Sequence, residues 1–119
     1  MIRIHYDYDR DHHHLHIAGH AGYAPAGSDI VCAGVSALSF ALLGYLRQTN
    51  AAVEETACSR GALMLRCKGG GQADSAFSMA LAGYQIIAET YPQHVEVDIT
   101  PSEKGEEKER HHGTSQQYL

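Results

Sequence analysis

Apolar and polar residues alternate near both ends of the chain, with the period of two that is typical of half-buried β-strands. Two further segments of strand-forming composition flank a short connection at residues 59–61, which predicts a hairpin. The five predicted strands cover residues 2–8, 14–18, 53–58, 62–68 and 95–99. Residues 9–12 form the predicted turn of another hairpin, between the first two strands.

Two longer segments repeat apolar residues every three or four positions, which is the spacing of an amphipathic α-helix. The first helix follows Asp29, a good N-cap candidate, and extends to about Thr49 or Asn50. Its predicted core-facing residues are Ala37, Leu38, Ala41, Leu42 and Tyr45. The second helix covers residues 72–91 and is stopped by Pro92. Its predicted core-facing residues are Phe77, Ala80, Leu81, Tyr84, Ile87 and Ala88.

The predicted order of elements is ββαββαβ, which indicates a compact α/β fold. We expect a two-layer sandwich in which two helices cover one face of a mixed sheet of about five strands. Residues 1–100 would form this single domain, and the polar segment 101–119 would be a flexible tail. A small sheet often buries part of an uncovered face against a second copy, which gives weak support for a dimer.

Composition narrows the classes of partner. The chain of 119 residues contains 44% hydrophobic and 19% charged residues, as ordinary globular proteins do. Its formal net charge of −5 argues against direct nucleic-acid binding, because no cluster of lysine and arginine is present to neutralise phosphates. The negative charge suits a basic protein or peptide as partner, although solubility alone is sufficient to explain it.

Neither a secretory signal nor a membrane span is predicted. The N-terminal residues lack an apolar h-region. The apolar stretch 30–46 is interrupted by serines and two glycines, which favours a buried core helix over a membrane span. We therefore expect a cytoplasmic protein in which Cys32, Cys58 and Cys67 are reduced. Two of these thiols can be small buried hydrophobic residues, and the remaining one is a candidate nucleophile.

The segment 19–38 carries the candidate chemistry. Cys32 falls in the first turn of the first helix, where free backbone N–H groups and the helix dipole stabilise a thiolate. The same N–H groups would form an oxyanion hole, and His20, at the end of the second strand, would act as general acid and base. Asp29 would either orient the imidazole or only cap the helix. Ser36 lies one turn after Cys32 on the same helical face.

Residue chemistry alone leaves other interpretations open. A small cysteine in an apolar helix is more often a core residue than a nucleophile, and a histidine at a strand end is usually a surface residue. A zinc site is a further alternative, because alternation places three histidines on one strand face, where a cysteine can complete four ligands. These candidate ligands are His14, His16, His20 and Cys32, with His12 and His13 nearby. The opposing interpretation is an exposed turn at residues 11–14 with titrating imidazoles.

Three short motifs at fixed spacing carry a resemblance to a known family. They are Gly19-His20-Ala21, Asp29-Ile30-Val31-Cys32-Ala33 and Val35-Ser36-Ala37-Leu38, with a glycine-containing loop between the first two. In these motifs, in length and in element order, the chain resembles the ribosomal-processing cysteine proteases (Prp) of bacteria, over about residues 1–100. One departure is Gly34, where the family pattern leads us to expect alanine.

The resemblance implies a cysteine endopeptidase that removes the N-terminal extension of a large-subunit ribosomal protein during ribosome maturation. It also implies a homodimer and no metal or organic cofactor. The alternative is a zinc-binding or non-enzymatic ribosome-associated module with an unreactive Cys32.

The same resemblance assigns roles to individual residues. His20 and Cys32 would form the catalytic dyad. Gly19 would be a hinge, and Asp29 and Ser36 would support the site. The loop 21–28 would close as a lid over the peptide. Its candidate hinge and substrate residues are Gly22, Tyr23 and Gly27.

Overall fold

The computed structural model describes residues 1–51, 53–59 and 61–100, and the predicted tail at 101–119 lies outside the described residues. Within them the predicted order ββαββαβ is found, with each boundary within two residues of the predicted one. The elements are β1 (Ile2–Asp9), β2 (His12–Ala18), α1 (Ile30–Gln48), β3 (Val53–Ser59), β4 (Ala62–Lys68), α2 (Gly71–Thr90) and β5 (Val95–Thr100).

The strands form one five-stranded mixed sheet in the order β3-β4-β2-β1-β5. β1 and β5 are parallel, whereas the other neighbouring pairs are antiparallel. Each helix is therefore a crossover connection: α1 joins β2 to β3 past β4, and α2 joins β4 to β5 past β2 and β1. Both helices pack against the same buried side chains of the sheet, which confirms the predicted two-layer α/β sandwich.

The core lies between the sheet and the helices. On β1, β2 and β4 every second side chain is turned towards the helices, as the alternation predicts. The buried strand residues are Ile2, Ile4, Tyr6, His13, Leu15, Ile17, Leu63, Leu65, Cys67 and Val95. The buried helix residues are Val31, Val35, Ser39, Leu42, Leu43 and Leu46 of α1 and Ala73, Ala76, Phe77, Ala80 and Tyr84 of α2. Cys67 is thus a small hydrophobic core residue.

The predicted core face of α1 is wrong. Of the predicted residues, Leu42 is buried and Leu38 half-buried, whereas Ala37, Ala41 and Tyr45 are exposed. The helix is apolar on nearly all sides, so three-and-four spacing fits more than one face. The length of α1 and its mean hydropathy of 1.7 would also be sufficient for a helix that crosses a membrane. A core helix passes the same test, and one side of α1 is buried in this fold.

Packing between the helices does not require glycine at position 34. A Cβ built on Gly34 would lie 3.8 Å from Cδ1 of Ile87, which is an ordinary van der Waals distance. Gly34, in place of the expected alanine, therefore leaves space between the two helices. A hydrogen bond of 2.7 Å between Ser39 and the fully buried Tyr84 joins the two helices nearby.

The sheet face opposite the helices is mainly polar among the described residues. Nδ1 of His5 lies 3.2 Å from a carboxylate oxygen of Asp98, and Nε2 of His12 lies 3.0 Å from one of Glu54. His14 and His16 lie on this face as well, across the strands from Arg66 and Met64. This face therefore offers little apolar surface for a second copy to cover.

His13 departs from the predicted exposed turn. Its side chain is 4% exposed, and its ring stacks on Phe77 with centroids 4.1 Å apart. Nε2 donates to a carboxylate oxygen of Asp74 at 2.8 Å, so Nδ1 accepts from the Tyr6 hydroxyl at 2.7 Å. Burial lowers the pKa of His13, and the hydrogen bond to Asp74 offsets only part of that effect. The buried imidazole is therefore held in its neutral form.

We expect the free energy of unfolding to fall as the pH is lowered from about 7.5 to about 5.5. Because the pKa of His13 is lower in the folded chain than in the unfolded one, the unfolded chain takes up the proton first. This contribution to stability is complete above the unfolded pKa of roughly 6.5 and is lost as the pH falls towards the folded pKa. Urea unfolding at several pH values measures it. His13→Gln should flatten the dependence, and His16→Gln, on the open face, is the matched control; equal slopes in all three proteins would contradict the assignment.

Candidate active site

A groove opens where β2 ends and α1 begins. Its volume is about 730 Å³, and both His20 and Cys32 line it. One side is formed by α1 between residues 32 and 40, and another by the loop 19–29. The strands contribute Ile2, Ile17, Leu63 and Cys58, which follow one another across β1, β2, β4 and the edge strand β3. The groove therefore runs from the loop towards one edge of the sheet.

Cys32 lies in the first turn of α1, as predicted, and is half-buried. Its Sγ accepts a hydrogen bond of 3.2 Å from the backbone N–H of Ala21. Ala21 is buried and follows His20 directly, so the segment after β2 that carries the histidine also brings a backbone donor to the thiol.

His20 is positioned by two glycines. Gly19 has a φ of +100°, and a Cβ there would collide with the carbonyl oxygen of Met1, so only glycine fits. Its N–H donates to the carbonyl of Gly61 at 2.9 Å. A Cβ on Gly61 would come within 2.8 Å of Nε2 of His20, so Gly61 makes room for the imidazole. Sequence reasoning assigned Gly61 only to a turn, because a contact between distant segments leaves no local signal.

Asp29 joins α1 to the loop. One carboxylate oxygen accepts from the N–H groups of Val31 and Cys32 at 3.0 and 2.9 Å. The other accepts from Tyr23 and Ala24 at 2.9 and 3.2 Å. These bonds, with that from Cys32 foremost, hold the pKa of the Asp29 carboxyl below its usual value. Of the two roles left open, capping is thus found, and no hydrogen bond to His20 is present among the described residues.

The predicted oxyanion hole at the start of α1 is wrong. The N–H groups of Val31 and Cys32 are bound by the Asp29 side chain, and that of Ala33 by the Asp29 carbonyl at 3.0 Å. These donors are therefore occupied by Asp29. The N–H of Ala21, in contrast, points at the sulfur.

The remaining predicted site residues are divided between the groove and its margin. Ser36 lines the groove and is exposed. The groove is also lined by the exposed residues Gly22 and Gly27, whose φ values are +69° and +90°. Tyr23 is absent from the lining. Its ring packs edge-on against Tyr91 and His94, with centroids 5.5 and 5.3 Å away. In this conformation Tyr23 therefore anchors the loop.

The candidate zinc ligands are not brought together. His14 and His16 lie on the open sheet face, whereas Cys32 lies on the helical side. No group of three histidine, cysteine or acidic side chains is arranged to hold a metal ion in the described part of the chain.

The cysteines are free thiols in the described part of the chain, with Cys58 exposed at the groove. No hydrogen bond joins His20 to Cys32 among the described residues, although one groove holds both.

A thiol at a helix start, an imidazole in the same groove and a glycine-bounded loop are the parts of a cysteine protease site. The family model for the cysteine protease Prp matches residues 1–96 of this chain. The ribosomal processing cysteine protease Prp of Mycoplasma pneumoniae is 31% identical over 84 residues, which are 71% of this chain and 84% of that protein. This chain belongs to the Prp family of cysteine proteases.

Solved structures agree in fold. The Prp protease of Staphylococcus aureus, in complex with a covalently linked product peptide, matches with a TM-score of 0.77 at 21% identity. That match covers 84% of this chain and 100% of the other. The protein SMU.848 of Streptococcus mutans matches with a TM-score of 0.69 at 26% identity, over 87% of this chain and 96% of the other.

Asp29→Asn should separate the two functions of the carboxylate. The side-chain oxygen of asparagine can still cap α1, but its NH₂ group would face the N–H donors of the loop. We therefore expect the melting temperature to change little, while chymotrypsin cleaves after Tyr23 more quickly than in the wild type. Asp29→Ala should show faster cleavage and a lower melting temperature as well. Resistance of Asp29→Asn to cleavage equal to that of the wild type would contradict this assignment.

Proposed function

We propose that this chain is a cysteine endopeptidase in which Cys32 is the nucleophile and His20 is the general acid and base. The observation that carries the proposal is their position in one groove, with the N–H of Ala21 directed at the Cys32 sulfur at 3.2 Å. Membership of a cysteine protease family supports the same assignment. The absence of a hydrogen bond between the two side chains is compatible with it, because such bonds often tighten only when substrate binds.

The reaction would proceed in two stages. The Cys32 thiolate attacks the scissile carbonyl carbon, a C–S bond forms and negative charge develops on the carbonyl oxygen, where the N–H of Ala21 stabilises it. Protonated His20 gives its proton to the leaving amine, the C–N bond breaks and a thioester remains. Neutral His20 then takes a proton from water as the water oxygen attacks the thioester. The C–S bond breaks, the new carboxylic acid leaves and ionises, and the thiolate is restored.

We propose that the substrate is the N-terminal extension of a large-subunit ribosomal protein, removed during ribosome maturation. Support comes from the Mycoplasma relative, which is a ribosomal processing protease, and from the Staphylococcus structure, which holds a product peptide. From Cys32 to Phe40 the groove follows α1 for roughly 12 Å, which is enough for about three or four extended residues. The net charge of −5 suits a basic substrate.

We further propose a homodimer in the cytoplasm. The free thiols are compatible with a reducing compartment. Because the open sheet face is polar, the apolar surface available to a second copy lies on the helical side, where Met79 is 68% exposed. Sedimentation equilibrium should give about twice the chain mass of 12.9 kDa, and a single-chain mass at micromolar concentration would contradict the dimer.

Peptide cleavage followed by mass spectrometry tests the protease. The peptide spans the N-terminal extension of the host's own large-subunit ribosomal protein. Wild type should make one defined cut, and Cys32→Ala should make none. His20→Ala should cut at least about a hundredfold more slowly, because general acid–base catalysis supplies that much or more. Cys58→Ser, which removes the other thiol of the groove, should cut at the wild-type rate.

Two outcomes would overturn the proposal in different ways. If Cys58→Ser abolishes cleavage while Cys32→Ala retains it, the nucleophile is wrongly assigned. If the folded wild type leaves an extension-bearing peptide intact, the proposed substrate is wrong.

A further inference from the structure

His94 lies beside the loop and away from the groove lining, in the connection between α2 and β5. We propose that His94 is a positioning residue for the nucleophile: its imidazole holds Ala21 in the orientation that directs the Ala21 N–H at the Cys32 sulfur. This role rests on the proposed function, in which Cys32 is the nucleophile.

Two hydrogen bonds on opposite sides of Ala21 define the arrangement. On the carbonyl side, Nδ1 of His94 donates to the Ala21 oxygen at 2.9 Å. A carbonyl can only accept, so this contact fixes the proton on Nδ1. On the amide side, the Ala21 N–H donates to Sγ of Cys32 at 3.2 Å. Ala21 is buried, so water does not readily replace His94 as the partner of its carbonyl.

The Ala21 N–H belongs to the peptide unit that it shares with the His20 carbonyl, and that carbonyl accepts a hydrogen bond of 2.6 Å from the N-terminal ammonium group of Met1. On the other side of Ala21, His94 holds the peptide unit that Ala21 shares with Gly22. Gly19 and Gly22 flank Ala21 at φ values of +100° and +69°, in a region that glycine enters and leaves without steric penalty, so both restraints are needed. Asp29 anchors the loop only from Tyr23 onwards. Among the hydrogen bonds of the described residues, the one from His94 is the side-chain contact on the carbonyl side of Ala21.

His94 is in turn held on several sides. Its N–H donates to the Tyr91 carbonyl and its own carbonyl accepts from the Ile2 N–H, both at 2.9 Å. The Tyr23 ring packs edge-on against the imidazole at 5.3 Å and 83°. The imidazole therefore has a fixed position relative to the sheet, and it can transfer that position to a segment bounded by two glycines.

Loss of the Nδ1 donor would act on the thiol through Ala21. A buried carbonyl without a partner is unfavourable, so residue 21 would turn to find one, and its N–H would leave the sulfur. The thiolate would lose a hydrogen bond that favours it over the thiol. Reactivity of Cys32 at neutral pH would then fall, although neither His20 nor Cys32 is altered.

The test is the rate of iodoacetamide alkylation of Cys32 as a function of pH, followed by peptide mass spectrometry. His94→Phe keeps a ring against Tyr23 but removes the donor. His94→Asn removes the ring but keeps a donor at the position of Nδ1. We expect His94→Phe to alkylate about fivefold more slowly at pH 7, with its rate profile moved to higher pH, and His94→Asn to remain near wild type. Exposed Cys58 in the same chain is the internal control, and its profile should not move.

A wild-type profile for Cys32 in His94→Phe would overturn the proposal. Equal losses of the alkylation rate in His94→Phe and His94→Asn would overturn it too, because the donor that His94→Asn keeps would then make no difference. If His94→Phe does not fold, His94→Ala is used in its place. His94→Ala and His94→Asn both lack the ring, and only His94→Asn has a donor. Alkylation requires no substrate, so the proposed function can fail in the cleavage assay while the role of His94 stands, and the reverse holds equally.

Discussion

The carboxylate of Asp29 binds backbone N–H groups on both sides of the groove, and the geometry of the site depends on those bonds. Two N–H groups belong to the first turn of α1, which carries Cys32, and two belong to the loop that leaves His20. One side chain therefore fixes where the helix begins and how far the loop can move from it. An ionised carboxylate suits this task because each oxygen accepts from two donors.

This use of Asp29 changes where catalytic stabilisation can come from. Free donors at a helix start are attractive for an oxyanion, but here they are consumed in holding the loop. The donor near the sulfur comes from Ala21, on the loop side of the groove. The site therefore combines a thiol supplied by a rigid helix with a backbone donor supplied by a segment rich in glycine. Reactivity depends on how firmly that segment is held.

Strand alternation, the N-cap at Asp29 and the spacing of three motifs were sufficient to predict the fold, and all predicted site residues except Tyr23 line the groove. These signals are local, and each depends on a few neighbouring positions. The core face of α1 was mispredicted because the helix is apolar on nearly all sides. The burial of His13 and the contacts of Gly61 and His94 were missed because they join segments distant in the chain. The N–H groups at the start of α1 are bound to Asp29, and a residue pattern does not predict this because it depends on atomic positions.

Histidines and cysteines of this chain have different environments that composition does not distinguish. His13 is buried and bound between Tyr6 and Asp74, whereas His14 and His16 lie on the open face. Cys67 is a core residue, whereas Cys32 and Cys58 both line the groove. The central claim is that Cys32, and not Cys58, attacks the peptide.

The most direct measurement uses a peptide of the ribosomal extension that ends, at the cut position, in a chloromethyl ketone. Tandem mass spectrometry then locates the covalent adduct on the protein. Our account predicts one adduct per chain, on Cys32, and an excess of the unmodified substrate peptide should suppress its formation. An adduct on Cys58 would contradict the account. So would the absence of an adduct on Cys32 in a protein that still cleaves the unmodified peptide.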